Sequence, residues 1–255
     1  MNKGYVLLGI TLFVVVFVFL FVDPYPQPQS YHEFADDRTM FGVANFWNVA
    51  TNAVFLVPGI AGLWILRSGN HPGIRPGLNP AYHILFAGIL LTAFGSAWFH
   101  LAPNNDTLFW DRLPMTVGFM SLVAIIIGEH VSESLGQRLL WPLLFIGAVS
   151  IFYWDYSESQ SAGDLRLYGL VQFLPLLLMP AILLMYRSTF DRIGFIWLLI
   201  LLYAVAKVFE QLDGTVYNFG ELISGHSIKH VIAALGPLVL IYGIDKRRIR
   251  QVEAQ

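Results

Sequence analysis

The residues in this chain best suited to chemistry are three histidines, an aspartate, a serine and an asparagine. His226 and His230 lie in Gly225-His226-Ser227-Ile228-Lys229-His230, where a long apolar stretch begins. On a helix that spacing stacks both imidazoles on one face, one turn apart, so the pair can share one transition-metal ion. Ser96 and His100 repeat the spacing in Gly95-Ser96-Ala97-Trp98-Phe99-His100, and Asp111 follows in Phe109-Trp110-Asp111-Arg112-Leu113-Pro114. Asn45 opens an earlier apolar stretch. The chain has no cysteine, so a tight transition-metal site must be built from imidazoles and carboxylates. Three neutral imidazoles with an open fourth position make a catalytic zinc site. Zinc lowers the pKa of its water and polarises a carbonyl. Asp111 can move the water's proton, and Ser96 can donate to the oxyanion of an attacked acyl group. Each residue also has an ordinary role open to it. His100 can hydrogen-bond at an interface, Asp111 can cap a helix or pair with Arg112, and Ser96 can permit close packing.

These residues act together only if the elements carrying them bring them to one place. The chain of 255 residues is 56% hydrophobic and 13% charged, against roughly a quarter charged in soluble domains. It is expected to be an all-α integral membrane protein, because lipid leaves no partner for open backbone groups. The formal charge of −2 offers no basic field for a nucleic acid. Eight spans are expected over 5–22, 45–66, 81–101, 113–128, 139–154, 167–186, 193–210 and 226–244. Several fall short of the roughly 20 residues that cross the hydrocarbon, so their ends should extend into polar flanks. The first span lacks a small-residue cleavage site and reads as a retained helix rather than a signal peptide.

Basic residues set the orientation. With both termini in the cytoplasm, Lys3, Arg67, Arg75, Arg138, Arg187, Arg192, Lys246, Arg247, Arg248 and Arg250 lie inside, and only Arg38, Arg112 and Arg166 lie outside. That topology brings Asn45, Ser96, His100, Asp111, His226 and His230 to the outer ends of four spans, at one depth. His71, His83 and His130 fall on the inner side, and His32 lies in an outer loop. Lys207 and Glu210 are spaced for an ion pair inside a span. Trp98, Phe99, Phe109, Trp110, Tyr153, Trp154 and Tyr156 crowd the outer interface as an aromatic belt. Asp213-Gly214 reads as a turn.

Four segments in order, Asn45-Phe46-Trp47-Asn48-Val49-Ala50-Thr51-Asn52, Ser96-Ala97-Trp98-Phe99-His100, Trp110-Asp111-Arg112-Leu113-Pro114-Met115 and His226-Ser227-Ile228-Lys229-His230, resemble the alkaline ceramidases. These belong to a wider superfamily of seven-helix membrane hydrolases that includes the progestin and adiponectin receptors. The resemblance implies a seven-helix hydrolase domain over 31–255, preceded by an added helix and linker over 1–30. It implies zinc on His100, His226 and His230, with Asp111 and Ser96 beside the zinc water, and a lipid substrate, ceramide, cleaved to a sphingoid base and a fatty acid. Family members also hold calcium near the first core helix, and Asp36 and Asn45 fall at matching spacing. Here an amide stands where the family has Glu, and other acidic ligands are missing. The compact loops and added helix resemble the bacterial branch, which implies an inner-membrane protein with its site toward the periplasm. The receptor cousins make a signalling protein with a structural metal the competing reading. A haem protein fits less well, since His226 and His230 share one helix.

Overall fold

The computed structural model describes residues 2–250 apart from 68 and 70. Among the described residues, eight helices are long and apolar enough to cross a membrane. They are α1 (Lys3–Phe21), α2 (Phe46–Leu66), α3 (Asn79–Leu101), α4 (Asn105–His130), α5 (Glu133–Ser159), α6 (Arg166–Met185), α7 (Gly194–Gln211) and α9 (Gly225–Lys246). A short helix, α8 (Asp213–Gly220), lies between the last two. The chain is an all-α membrane protein, as expected.

The expected polar extensions are present. α4 begins eight residues before Leu113, where Asn104 and Thr107 form a reciprocal capping box, Thr107 N donating to Asn104 Oδ1 at 2.9 Å. Asp111 therefore lies inside α4 and does not cap it. α5 runs on to Ser159.

α3 packs on α4, α4 on α5, and α7 on α9. α1 buries none of its residues and lies along α6. α2 tightens into a 3-10 turn over Thr51–Phe55. Pro58 has no N–H to give the Val54 carbonyl, and the side chains of Thr51 and Asn52 reach back to Trp47 O (2.6 Å) and Asn48 O (2.7 Å).

The inner end is closed by a buried polar cluster. Arg247 gives Nη1 to Glu129 Oε2 at 2.9 Å, Nη2 to Tyr82 OH at 2.6 Å and Nε to the Gly73 carbonyl at 2.7 Å. The outer end is covered by the linker between α1 and α2. Gln27 N donates to Glu158 Oε1 at 2.6 Å, and Arg112 Nη2 donates to Gln27 Oε1 at 2.6 Å. Asp213, expected in a turn, instead starts α8. Its carboxylate accepts from Ala35 N at 3.0 Å and His226 N at 2.7 Å, tertiary partners that a local reading cannot foresee.

Candidate metal centre

α3 and α9 carry the three imidazoles, and a close approach to a neighbouring helix positions each of them. Pro114 leaves the Trp110 carbonyl without its intrahelical donor, and Gly95 packs directly on it. A Cβ at Gly95 would lie 2.0 Å from Trp110 O. The contact sets Ser96, the next residue, on the same cavity wall as Asp111. At the head of α9, a Cβ at Gly225 would lie 2.3 Å from Phe209 O, so glycine lets α9 start against α7. Ser224 caps α9, and the Asp213 carboxylate holds the His226 amide, which fixes the rotation of that first turn.

His100, His226 and His230 meet in the interior. Each offers a ring nitrogen lying within 4.8 Å of those of the other two, and all three are buried. His226 Nε2 and His100 Nε2 stand 3.3 Å apart. Two zinc–nitrogen bonds of about 2.05 Å at the tetrahedral angle put their nitrogens about 3.3 Å apart, so the spacing suits one small cation. His230 Nε2 has no hydrogen-bond partner. Its Nδ1 lies 2.9 Å from Thr51 Oγ1, whose hydroxyl proton goes to Trp47 O. Thr51 can therefore only accept, so the His230 proton sits on Nδ1 and the Nε2 lone pair is free to bind. This is the supporting contact metal-bound imidazoles usually have. The donor set, the spacing and the orphaned nitrogen fit zinc.

Asp111 Oδ1 is buried and lacks a partner, leaving an acceptor on the cavity wall that His230 also lines. Phe34, from the linker, covers the imidazoles from outside, with ring centroids 4.7 Å from His100 and 4.9 Å from His226. Asn45 donates through Nδ2 to the His100 carbonyl at 2.9 Å. Asp36 is bound on both oxygens by Arg38, each at 2.7 Å. A calcium ion there would have to displace that guanidinium, and Asn45 turns its donor end away from any cation. His32 bonds Asn105 at 2.9 Å instead of joining the group.

Asp111, Ser96 and His230 line the outer end of a cavity between the helices. It continues inward past Thr92, Ile89 and Leu85 of α3 and reaches Leu122 and Leu240. Ser96 to Leu85 spans about 16 Å along a helix, room for a long apolar chain below the polar end. Lys207, Glu210 and Lys229 also line it. Glu210 receives Lys229 Nζ at 2.8 Å, Tyr31 OH at 3.3 Å and Lys207 Nζ. Burial, with the Glu210 charge adding to it, pushes the Tyr31 phenol well above its usual range, so Tyr31 remains a donor. Lys207 and Glu210 pair as their spacing suggested; the link to Lys229 and Tyr31 did not show in the sequence.

No curated protein matches this chain. A family model described as Ceramidase matches residues 38–255, the stretch containing all three imidazoles, the aspartate and the cavity lining other than Tyr31. That match covers most of the sequence and begins after α1, and it makes the chain a member of the ceramidase family.

Proposed function

We propose that the protein is a zinc-dependent membrane hydrolase that cleaves the amide of an N-acyl lipid, ceramide to sphingoid base and fatty acid. Family membership supports a membrane enzyme acting on amides. The observation that carries the finer reading is the meeting of three buried imidazoles with Asp111 and Ser96 at the polar end of an apolar cavity.

In this reading a zinc ion on His100, His226 and His230 supplies a Lewis acid that acidifies water and polarises the acyl oxygen. The cavity below Ser96 holds the acyl chain and presents the amide carbon to the polar end. Asp111 takes a proton from the attacking water as its oxygen bonds the acyl carbon, and later gives that proton to the departing nitrogen. The carbon–nitrogen bond breaks, leaving a carboxylic acid and a free amine. Ser96 donates its hydroxyl to the acyl oxygen as negative charge grows there. Phe34 keeps bulk water off the imidazoles. Thr51 keeps His230 in the binding tautomer. The two-pronged Arg38 pair at Asp36 supplies a fixed cation, and calcium there would require an exchange for it.

The site faces the outer side, the periplasm in a bacterial inner membrane, and α1 with its linker is an appendage to the hydrolase domain. A chelator-stripped sample should lose hydrolysis of N-dodecanoyl sphingosine and regain it with one equivalent of zinc. Undiminished hydrolysis by metal-free protein would overturn the reading.

A further inference from the structure

The cavity wall carries more basic than acidic side chains. Besides His230 its basic side chains are Arg112, Lys207 and Lys229, and its acidic ones are Asp111 and Glu210. Glu210 is shared by both lysines, so neither ammonium has a carboxylate of its own. Arg112 forms no ion pair among the described residues. Its guanidinium lies 4.5 Å from the ring centroids of both Trp154 and Tyr168, and its Nη1 has no hydrogen-bond partner. Three basic side chains beside two carboxylates, in a site shielded from water, favour the entry of an anion. Lys229 precedes the imidazole of His230 on the same helix, and Lys207 sits one turn below Glu210 on α7, about 4.5 Å further in. Each ammonium makes one recorded hydrogen bond, to Glu210, and has donors left for another acceptor.

We propose that Lys207 and Lys229 form an oxyanion-binding subsite, within the field of Arg112, for an acidic group on the amine portion of the substrate. The preferred substrates are then N-acyl lipids whose head carries a phosphate, sulfonate or carboxylate close to the amide, in place of a neutral hydroxyl head. This rests on the hydrolase reading above and narrows its substrate class. The fatty-acid product also carries an oxyanion, so the test separates the two sources.

The experiment compares kcat/KM of the zinc-loaded, full-length protein for N-dodecanoyl sphingosine and for its 1-phosphate, in wild type, Lys207→Gln and Lys229→Gln. Wild type should favour the phosphate lipid by about tenfold or more, the usual scale of a charge-assisted hydrogen bond. Each glutamine variant should bring the ratio toward one, mainly through KM of the phosphate lipid. Equal or opposite preference in wild type, or equal loss on both lipids in the variants, overturns the subsite and indicates only an α7–α9 tie. Dodecanoate that inhibits wild type, is relieved in Lys207→Gln and leaves head preference unchanged assigns the site to product and also overturns it. If neither lipid is cleaved, the hydrolase reading fails and binding decides the subsite. Thermal stabilisation by the phosphate lipid over the neutral one, lost in Lys207→Gln, supports it, and equal stabilisation refutes it.

Discussion

At the scale of single residues the account makes separable demands. In the proposed reading His100, His226 and His230 hold the ion and Asp111 moves the proton. Asp111→Asn keeps the shape and all three ligands, so it should retain zinc while kcat falls by about 10²–10⁴. Metal analysis beside turnover of an N-acyl lipid checks both halves. Thr51 acts one step further out. Thr51→Val removes the acceptor that fixes the His230 tautomer, and zinc affinity should fall roughly 10- to 100-fold, measured by competition with a chromogenic chelator. An unchanged affinity would mean that His230 orients itself. The paired histidines and the Ser96–His100 pair were legible because helical spacing alone puts each pair on one face. Thr51 sits in a segment whose resemblance was plain, yet its role depends on a contact with a residue 179 positions away. Phe34 and Tyr31 come from an irregular linker with no periodicity to read. The Asp36–Arg38 pair was hidden because the family spacing of Asp36 and Asn45 suggested a cation site while a cation for Asp36 was already in the chain.

At the scale of elements, the site depends on how closely α3 approaches α4. Gly95 makes that approach possible and Pro114 frees the carbonyl it rests on. Gly95→Val would drive side-chain atoms into Trp110 O, where even a Cβ stands at 2.0 Å. It should cost about 1–3 kcal/mol as overpacking does, and it should separate Ser96 from Asp111. The expected signature is a lower unfolding temperature together with a larger loss of kcat than of zinc. A loss of stability with full kcat would show that the α3–α4 spacing is not critical. Helix number was readable from hydropathy. Helix ends were less so, because capping by Asn104 and the tertiary partners of Asp213 decide them. The 3-10 turn in α2 has a local cause in Pro58, but its consequence, aiming Thr51 at His230, belongs to the packed structure.

At the scale of the whole molecule the two ends have different tasks. The inner end is fixed by Arg247, Glu129 and Tyr82, buried together across α3, α4 and the chain after α9. Arg247→Ala would leave the Glu129 carboxylate buried without its cation, a change worth about 3–5 kcal/mol. It should lower the unfolding temperature in detergent while sparing the zinc stoichiometry of the protein that remains folded. α1, which buries none of its residues, stands apart from this scheme. Removing residues 2–22 should leave the helices from α2 onward folded with zinc bound. The proposed chemistry lies at the opposite end, where the three imidazoles would share one ion. The most direct measurement is anomalous diffraction at the zinc edge from crystals of zinc-replete protein. The account predicts one strong peak about 2 Å from a ring nitrogen of each of His100, His226 and His230. Zinc-replete protein that hydrolyses N-acyl lipids yet shows no peak among those rings would contradict it.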